Sequence, residues 1–459
     1  MAKRASAKAY ARKSRRSIVR IAAGATASSS AMRKRWRPIL DGGLRASAID
    51  TINAIAAGIQ PISERPVSDG ADASLARGRA GLAVFYAYLD KAGLTHNAKQ
   101  TALAYLNDMT DAVVAIRMEP SLYGGFAGGT WSLAHLRDWL LDADDEMTES
   151  IDVALRDYLS RQPWRGDYDL ISGLVGLGVY ALEHMSSPLA FECLGHVVDR
   201  LDELAQQTAD GIAWFTPPDL LPGWQREECP RGYYNLGLAH GVPGVIAFLG
   251  RVCSLENKNA RSVSAALRKK ARGLLDGAVA WLLAQKLVNQ NSVFPCWIAP
   301  GLRPTASRVA WCYGDLGIAA ALLLAAQCVH ESSWEKEALA LARNVTTRPP
   351  EQSGVKDCGL CHGAAGVGHL FNRLFHESGE RLLKDAAVYW FERTLRMRRP
   401  GEGVAGFPML ERNPDGAERW VAKRGLLEGE TGIALALLAA VTDVDPAWDR
   451  MLLVSGDQR

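Results

Sequence analysis

One short pattern recurs seven times along the 459-residue chain, and it constrains the fold more than any other feature. Each copy is a Gly-x-x-Gly step that leads into a run rich in Ala, Leu and Val. The steps begin at Gly78, Gly125, Gly173, Gly241, Gly314, Gly363 and Gly429, with spacings of 47, 48, 68, 73, 49 and 66 residues. The shortest unit holds two helices of ordinary length with their connections. A period of this size predicts an array of helix pairs.

The two helices of each pair differ in how they distribute apolar residues. Helices that leave the glycines are apolar on nearly every side, which predicts that they are buried. The intervening segments, for example 98–109 and 263–286, alternate charged and apolar faces and are expected to lie outside. Seven such pairs close most simply into an inner ring within an outer ring, because closure buries both ends of the array. The predicted fold is therefore all-α, an α/α toroid of about seven inner and seven outer helices.

The three long intervals between steps carry similar insertions. Each contains an aromatic and proline-rich segment, at 214–218, 294–297 and 407–410. These segments predict short hairpins or loops on one face of the ring. Loops that share a face with the glycine turns are where a functional site is expected.

Charge is unevenly distributed along the chain. The first 40 residues carry twelve Lys or Arg and no acidic residue, whereas the remainder has a net charge of −9. We expect residues 1–45 to be a basic, disordered extension and residues 46–459 to form a single domain. We expect no nucleic-acid partner. No window reaches about eighteen uninterrupted apolar residues, so no membrane span is expected. Eight sparse cysteines predict reduced thiols and a cytoplasmic location.

The segment from Cys358 to Gly363, with the sequence CGLCHG, holds the densest group of soft ligands. Thiols and imidazole are well suited to zinc. The same C-x-x-C-H spacing is also the attachment signature of a c-type haem. Three interpretations follow from this segment alone: a haem, a closed zinc site that includes Cys358, or a zinc site with one open position.

The repeat register adds residues that are distant in sequence. Immediately before the first glycine of each step stand Arg77, Gly124, Ser172, His240, Tyr313, His362 and Glu428. One residue earlier stand Ala76, Tyr123, Ile171, Ala239, Cys312, Cys361 and Leu427. Equivalent positions should converge at one end of the ring, so Cys312 and Cys361 are expected to be neighbours. With His362 they supply three ligands and leave a fourth position open, which is typical of catalytic zinc.

These motifs resemble those of the LanC-type lanthipeptide cyclases. The resemblance rests on Trp311-Cys312-Tyr313-Gly314, Cys361-His362-Gly363 and Leu238-Ala239-His240-Gly241 together with the seven glycine steps, and it covers about residues 70–440. It implies a toroid that holds Zn2+ through Cys312, Cys361 and His362. The implied reaction is Michael-type addition of peptide cysteine thiols to dehydroalanine or dehydrobutyrine, which closes lanthionine and methyllanthionine rings. The implied substrate is a dehydrated precursor peptide.

Further site residues follow from the chemistry and from the resemblance. The addition generates an enolate that must be protonated at Cα, and His240 is expected to be the proton donor. The family pattern also matches Asp169 as a second polar residue at the site. Arg308 and Tyr313 match positions that the resemblance implies orient groups or stabilise the enolate. A separate dehydratase is the expected partner, in a membrane-associated modification complex with the cyclase.

Three other functions stay open at this stage. A related protein could add a different thiol, such as glutathione, to dehydroamino acids with the same zinc. An α/α-toroid glycosidase would need a carboxylate pair, for which the candidates are Asp169, Asp315, Glu428 and Glu430. That interpretation leaves the Cys and His cluster unexplained. Haem attachment would require export and a second axial ligand, and the sequence shows neither.

Overall fold

The computed structural model describes residues 35–59, 67–141, 146–255, 263–288, 290–413 and 417–456. Residues Arg35–Arg459 form one compact unit. Most of the predicted basic extension, residues 1–34, lies outside the described residues. None of the described helices combines the length and the apolar composition that crossing a bilayer requires.

Seven buried helices form the inner ring, and each begins one residue after the first glycine of a step. They are α3 (Arg79–Lys91), α5 (Phe126–Leu140), α7 (Leu174–Glu183), α10 (Val242–Cys253), α12 (Asp315–Val329), α14 (Ala364–Ser378) and α16 (Glu430–Val441). Each of these helices contacts the next one in this order, and α16 contacts α3. The ring is therefore closed.

A second set of helices lies outside this ring. It comprises α1 (Gly42–Ile59), α4 (Ala98–Ala115), α6 (Glu146–Leu159), α8 (Pro188–Leu204), α11 (Ala265–Ala284), α13 (Ser332–Thr346) and α15 (Arg381–Arg396). Six of them pack on the inner helix that precedes them in the chain, and α1 packs on α16. Two short helices, α2 (Gly70–Ala73) and α9 (Gly223–Glu228), lie within connections. The predicted all-α fold with an inner and an outer ring, an α/α toroid, is confirmed.

The second glycine of a step allows the chain to approach itself closely. A Cβ atom added at Gly366 would lie 1.9 Å from the carbonyl oxygen of Leu360, and one at Gly432 would lie 2.0 Å from that of Leu426. No other residue fits such a contact, because the obstacle is backbone rather than a movable side chain. The first turn of each of these helices thus packs directly on the segment that leads into the step.

Backbone hydrogen bonds between neighbouring repeats set the register of the turns. The amide of Cys312 donates to the carbonyl of Cys361 (3.3 Å), and the amide of Cys361 donates to that of Leu427 (2.8 Å). The amide of Leu427 donates in turn to the carbonyl of Ala76 (3.2 Å), which connects the seventh repeat to the first. These are the equivalent positions expected from the repeats. The predicted convergence of turn residues at one end of the ring is therefore confirmed.

All three insertions contain short antiparallel strands. The first carries β1 (Gln206–Thr208), β2 (Gly211–Ala213), β3 (Phe215–Thr216) and β4 (Tyr233–Asn235), the second carries β5 (Trp297–Ile298), and the third carries β6 (Met409–Arg412) and β7 (Glu418–Val421). Strands β3, β4 and β5 form one sheet in that order, so two separate insertions are joined. The repeats predicted the insertions but not this pairing.

A segment near the C-terminus, residues 447–452, lies within the inner ring. The residues 447–452 form a buried 3-10 helix. The Tyr123 hydroxyl donates to the carbonyl of Met451 (2.8 Å), and Trp311 Nε1 donates to that of Leu452 (2.9 Å). Asp449 pairs with His369 of α14 at 2.8 Å. Contacts from separate parts of the ring thus hold this segment in place.

The start of the compact unit precedes the expected domain boundary at residue 46. Trp36 is buried, and its ring stacks on His376 with a centroid distance of 3.7 Å. Its indole nitrogen donates to the carbonyl of Ala439 (2.7 Å). The amides of Ile39 and Leu40 both donate to the carbonyl of Ala440. Because Trp36, Ile39 and Leu40 lie close to several basic residues in the sequence, composition alone assigned them to the basic extension of residues 1–45.

Candidate active site

Cys312, Cys361 and His362 meet at the turns that lead into α12 and α14. One potential ligand atom from each lies within 4.8 Å of the other two. In the described part of the chain, no other group of three Cys, His, Asp or Glu side chains meets this condition. Cys312 is buried, whereas Cys361 and His362 are partly accessible.

This donor set fits zinc in both chemistry and size. Zinc binds thiolates at about 2.3 Å and imidazole at about 2.0–2.1 Å, so tetrahedral ligand atoms lie roughly 3.5–3.8 Å apart. The observed separations, all within 4.8 Å, require only a small contraction around an ion. Three protein ligands leave one tetrahedral position for another group.

Hydrogen bonds among the three side chains shift their pKa values in directions that favour the binding of a cation. The hydrogen bond from Cys361 lowers the pKa of Cys312 well below its ordinary value, and it outweighs the effect of burial. The same bond, together with burial, raises the pKa of Cys361. Burial opposes protonation of His362, but its hydrogen bond to Cys312 raises its pKa overall. Cys312 thus loses its proton more easily than an ordinary cysteine, and a bound cation would also favour deprotonation of Cys361.

Cys358 points away from this cluster. Its thiol is buried and donates to the carbonyl of Thr394 in α15 (3.8 Å). Burial raises its pKa well above the ordinary thiol value. Haem attachment through a C-x-x-C-H motif requires both cysteines of the motif, so the position of Cys358 disfavours that interpretation. It also disfavours a closed site with Cys358 as the fourth ligand.

Asp357 is a site residue that the sequence did not reveal. Its carboxylate lies 3.9 Å from Nε2 of His362. It also accepts hydrogen bonds from the amides of Gly359 (3.1 Å) and Leu410 (3.3 Å). Carboxylates beside a metal-binding histidine commonly fix the orientation of its ring. In the sequence, only its position directly before Cys358 linked Asp357 to the site. That position does not determine the direction of its side chain.

His240 and Asp169 form a close pair from two further turns. His240 Nδ1 lies 2.6 Å from Asp169 Oδ2. Asp169 is 1% exposed, whereas 39% of the His240 side chain is accessible. Burial disfavours the charged imidazole, but the hydrogen bond and charge of Asp169 raise the pKa of His240 overall. The other oxygen of Asp169 accepts from the amide of Ser172 (2.8 Å) and closes the turn before α7.

Tyr313 lies between this pair and the cysteine cluster. It follows Cys312 directly, and its ring faces that of His240 with a centroid distance of 5.9 Å. Its hydroxyl accepts a hydrogen bond from Nδ2 of Asn235 (2.9 Å). Burial raises the pKa of Tyr313 well above its ordinary value, so the group is a neutral phenol at physiological pH. Asn235, in β4, was missed because no spacing relates it to the turns.

Arg308 acts on the two cysteines of the cluster through its positive charge. Its side chain is exposed, and its positive charge favours the thiolate form of both cysteines, although the hydrogen bond to Cys312 and burial still raise the pKa of Cys361 overall. Its carbonyl lies under the glycine turn, where a Cβ atom at Gly314 would be 1.8 Å from the oxygen. The structure therefore brings all seven predicted site residues to one end of the ring.

The remaining carboxylates near the turns have structural partners. Asp315 accepts hydrogen bonds from the amides of Val293 and Phe294, both at 2.9 Å. Glu430 accepts from the amide of Val404 (3.0 Å). Both therefore anchor insertions. Glu428 pairs with Lys423 at 3.2 Å. These contacts give Asp315, Glu428 and Glu430 structural roles and disfavour their use as the acid and base of a glycosidase.

Asp167 is a further acidic group beside Asp169. Burial and the charge of Asp169 raise its pKa to about 7. Its Oδ1 accepts from the amides of Tyr168 (2.7 Å) and Asp169 (3.3 Å). The side chain therefore belongs to the turn that carries Asp169.

Comparison with known proteins agrees with this geometry. The sequence profile of the family described as "Lanthionine synthetase C-like protein" matches residues 70–453. The chain is 27% identical to the nisin biosynthesis protein NisC of Lactococcus lactis subsp. lactis over 285 residues, which is 56% of this chain and 63% of that protein. The chain thus spans less than two thirds of the length of this relative. A solved structure titled nisin cyclase superposes with a TM-score of 0.67 at 18% identity, covering 88% of this chain and 97% of the other. That last likeness is one of fold.

Proposed function

Because the chain belongs to the lanthionine synthetase C-like family, we propose that it is a zinc-dependent cyclase acting on a dehydrated precursor peptide. In the proposed reaction a cysteine thiol of the peptide adds to the β-carbon of a dehydroalanine or dehydrobutyrine residue. The S–H bond of the thiol and the C=C π bond break, a C–S bond forms at the β-carbon, and a proton is delivered to Cα in place of the one that the thiol releases. The products are lanthionine and methyllanthionine rings.

The observation that carries this proposal is the meeting of two thiols and an imidazole beside the His240–Asp169 pair. Cys312, Cys361 and His362 would hold the zinc ion with one position left for a peptide thiol. Zinc bound there would lower the pKa of that thiol, so that it is a nucleophilic thiolate at neutral pH. The cysteine and histidine cluster and the His240–Asp169 pair lie on neighbouring turns of one ring, and Tyr313 lies between them.

The protein residues account for the proton and for the developing charge. His240, whose pKa Asp169 raises, would donate its proton to Cα as the enolate collapses. Arg308 and the Tyr313 hydroxyl would stabilise the negative charge on the enolate oxygen before that step. Asp169 would hold the imidazole with Nε2 directed away from it, since Nδ1 is the atom engaged.

The biological setting is part of the same proposal. A separate dehydratase must supply the dehydroamino acids, because the proposed chemistry starts from them. We place both enzymes in the cytoplasm, where thiols remain reduced. A membrane-associated complex would pass the peptide from one enzyme to the other.

Metal analysis of the full chain tests the centre. We expect close to one zinc per chain, lost in Cys312→Ala and Cys361→Ala. Cys358→Ala is the matched control, because its thiol faces Thr394 instead of the cluster, and it should keep the metal. A folded, active protein without zinc would refute the proposed centre.

Turnover needs a separate assay, because ring closure does not change peptide mass. A dehydrated precursor is incubated with the protein, and the remaining free thiols are alkylated and counted by mass spectrometry. We expect the alkylated count to fall with time. An unchanged count with zinc present would refute ring closure but not metal binding. Consumption of added glutathione in its place would identify the alternative thiol-adding reaction.

A further inference from the structure

A cavity of about 170 Å3 lies beside the metal cluster and is rich in arginine. Its walls include Arg396, Arg398 and Arg399, at and just after the end of α15, together with Asp357 and Trp420. We call it the arginine pocket. The proposed reaction does not use it. Water occupies about 30 Å3 per molecule, so the pocket has room for one side chain rather than a folded partner.

The arginines give this cavity an excess of positive charge. Arg396 pairs with Glu392 and Arg399 with Glu402, but the side chains of both pairs are between 34% and 72% exposed, so water screens these pairs and weakens them. Arg398 donates through Nε to the carbonyl of Ala405 (2.7 Å), which leaves its charge uncompensated by that contact. Asp357 is the only carboxylate among the lining residues.

Trp420 gives the pocket an exposed aromatic edge. The side chain lies in β7 and is 40% exposed. The guanidinium of Arg399 lies over its ring, 4.0 Å from the centroid. Such a contact holds the guanidinium in a defined orientation. Exposed Trp and Arg side chains together are typical of the residues that dominate binding surfaces.

The pocket is next to the proposed reaction centre, because Asp357 belongs to both. Its carboxylate lines the pocket and is 3.9 Å from His362. An extended peptide advances about 3.3–3.6 Å per residue. A peptide with its cysteine at the cluster could therefore place a side chain in the pocket within a few residues.

We propose that the arginine pocket binds a carboxylate side chain of the peptide substrate, a few residues from the reacting cysteine. Carboxylates form paired hydrogen bonds with guanidinium groups, and they are the anionic side chains of an unmodified peptide. The inference rests on the proposed function for the identity of the peptide. Charge, shape and position of the pocket support the binding of a carboxylate by themselves.

Binding of a labelled peptide to the full zinc-loaded chain tests this inference. The probe is a fluorescein-labelled hexapeptide with two Glu and no Cys, and the matched peptide has Gln in place of Glu. By anisotropy we expect the Glu peptide to bind at least about tenfold more tightly, a preference that weakens with added salt. Equal binding of the two peptides would overturn the proposal.

Substitutions test whether the preference for the Glu peptide arises in the arginine pocket. Arg398→Gln combined with Arg399→Gln should reduce binding of the Glu peptide to that of the Gln peptide. Arg381→Gln is the control, since that residue lies at the far end of α15 from the pocket and its side chain is 91% exposed. Arg396→Gln is a second pocket variant in case the double substitution lowers the melting temperature. Loss of the preference in Arg381→Gln, or its survival in both pocket variants, would overturn the proposal.

Two further outcomes separate the pocket from the reaction. Inorganic phosphate that displaces the peptide while acetate at equal ionic strength does not would overturn the carboxylate assignment. In ring closure, the double variant should raise KM for a precursor with Glu near its cysteine and leave kcat unchanged. Glu-peptide binding without any ring closure would refute the proposed function and keep the pocket. Normal ring closure with no preference for the Glu peptide would refute the carboxylate-binding pocket and leave the proposed function intact.

Discussion

Replacing Asp169 with Asn tests how the proposed proton donor is controlled. The substitution preserves the shape of the side chain and an oxygen that can accept from the amide of Ser172. It removes the negative charge that lies 2.6 Å from His240 Nδ1. Because Asp169 raises the pKa of His240 against burial, the variant should leave burial dominant and lower that pKa.

The size of the effect follows from the bond that is weakened. Asp169 is 1% exposed but 39% of the His240 side chain is accessible, so water screens this hydrogen bond only in part. Hydrogen bonds to charged groups contribute about 1.5–3 kcal/mol. At about 1.4 kcal/mol per tenfold change in rate, Asp169→Asn should slow ring closure by roughly 10- to 150-fold. The zinc content should stay near that of the wild type.

The pH dependence has a defined sign. The pKa of His240 is raised in the folded protein, so its charged pair with Asp169 stabilises the fold fully below the unfolded value of about 6.5. That stabilisation is lost as pH rises through the folded pKa. The stability gap between wild type and Asp169→Asn should therefore be largest near pH 6 and shrink at higher pH. The decline of activity on the alkaline side should begin at lower pH in the variant.

The assay is thiol alkylation of a dehydrated precursor at several pH values, with metal analysis of each sample. Ser172→Ala is the control, because it removes only the 3.2 Å hydrogen bond from the hydroxyl to Asp169. Its effect should be on the order of tenfold or less, as for an ordinary hydrogen bond. A fully metallated Asp169→Asn protein with the rate and pH profile of the wild type would refute the reasoning.

Two further substitutions test other contacts. Tyr313→Phe leaves Nδ2 of the buried Asn235 without its 2.9 Å partner, so we expect a loss of about 1–3 kcal/mol in unfolding free energy and slower ring closure with zinc retained; an unchanged rate would remove the hydroxyl from the mechanism. Trp36→Ala should lower the unfolding free energy by about 3–5 kcal/mol in urea denaturation, because the ring is 5% exposed and stacked. Arg35→Ala, whose ion pair is exposed, should cost less than about 1 kcal/mol. Equal effects at residues 35 and 36 would contradict the packing of the N-terminal segment.

The repeat pattern made much of the fold predictable. A glycine that lets a helix begin against backbone is a local requirement, and its recurrence defined both the helix pairs and their register. Cys312 and Cys361 could therefore be placed side by side although they are 49 residues apart. The turns of His240 and Asp169 also belong to neighbouring repeats, but Asp169 was identified from the family resemblance and not from the repeat register.

Contacts that do not follow the repeat spacing could not be predicted from the sequence in the same way. Asn235 reaches Tyr313 from a strand that lies inside an insertion, and Asp357 turns toward His362 because amides of its own turn and of β6 hold its carboxylate. Trp36 is buried although its neighbours in the sequence are basic. Insertion strands β4 and β5 pair across more than sixty residues of intervening chain.

The sequence by itself determined the closed double ring, the shared register of its turns and the residues that form the cluster. Those properties follow from local backbone sterics and a repeated spacing, which are written in the chain. Only the tertiary structure decided that the C-terminal segment lies inside the ring, that Cys358 faces Thr394, and that arginines line a pocket beside Asp357. Each of these depends on which distant surfaces meet once the ring has closed, and no spacing along the chain encodes that choice.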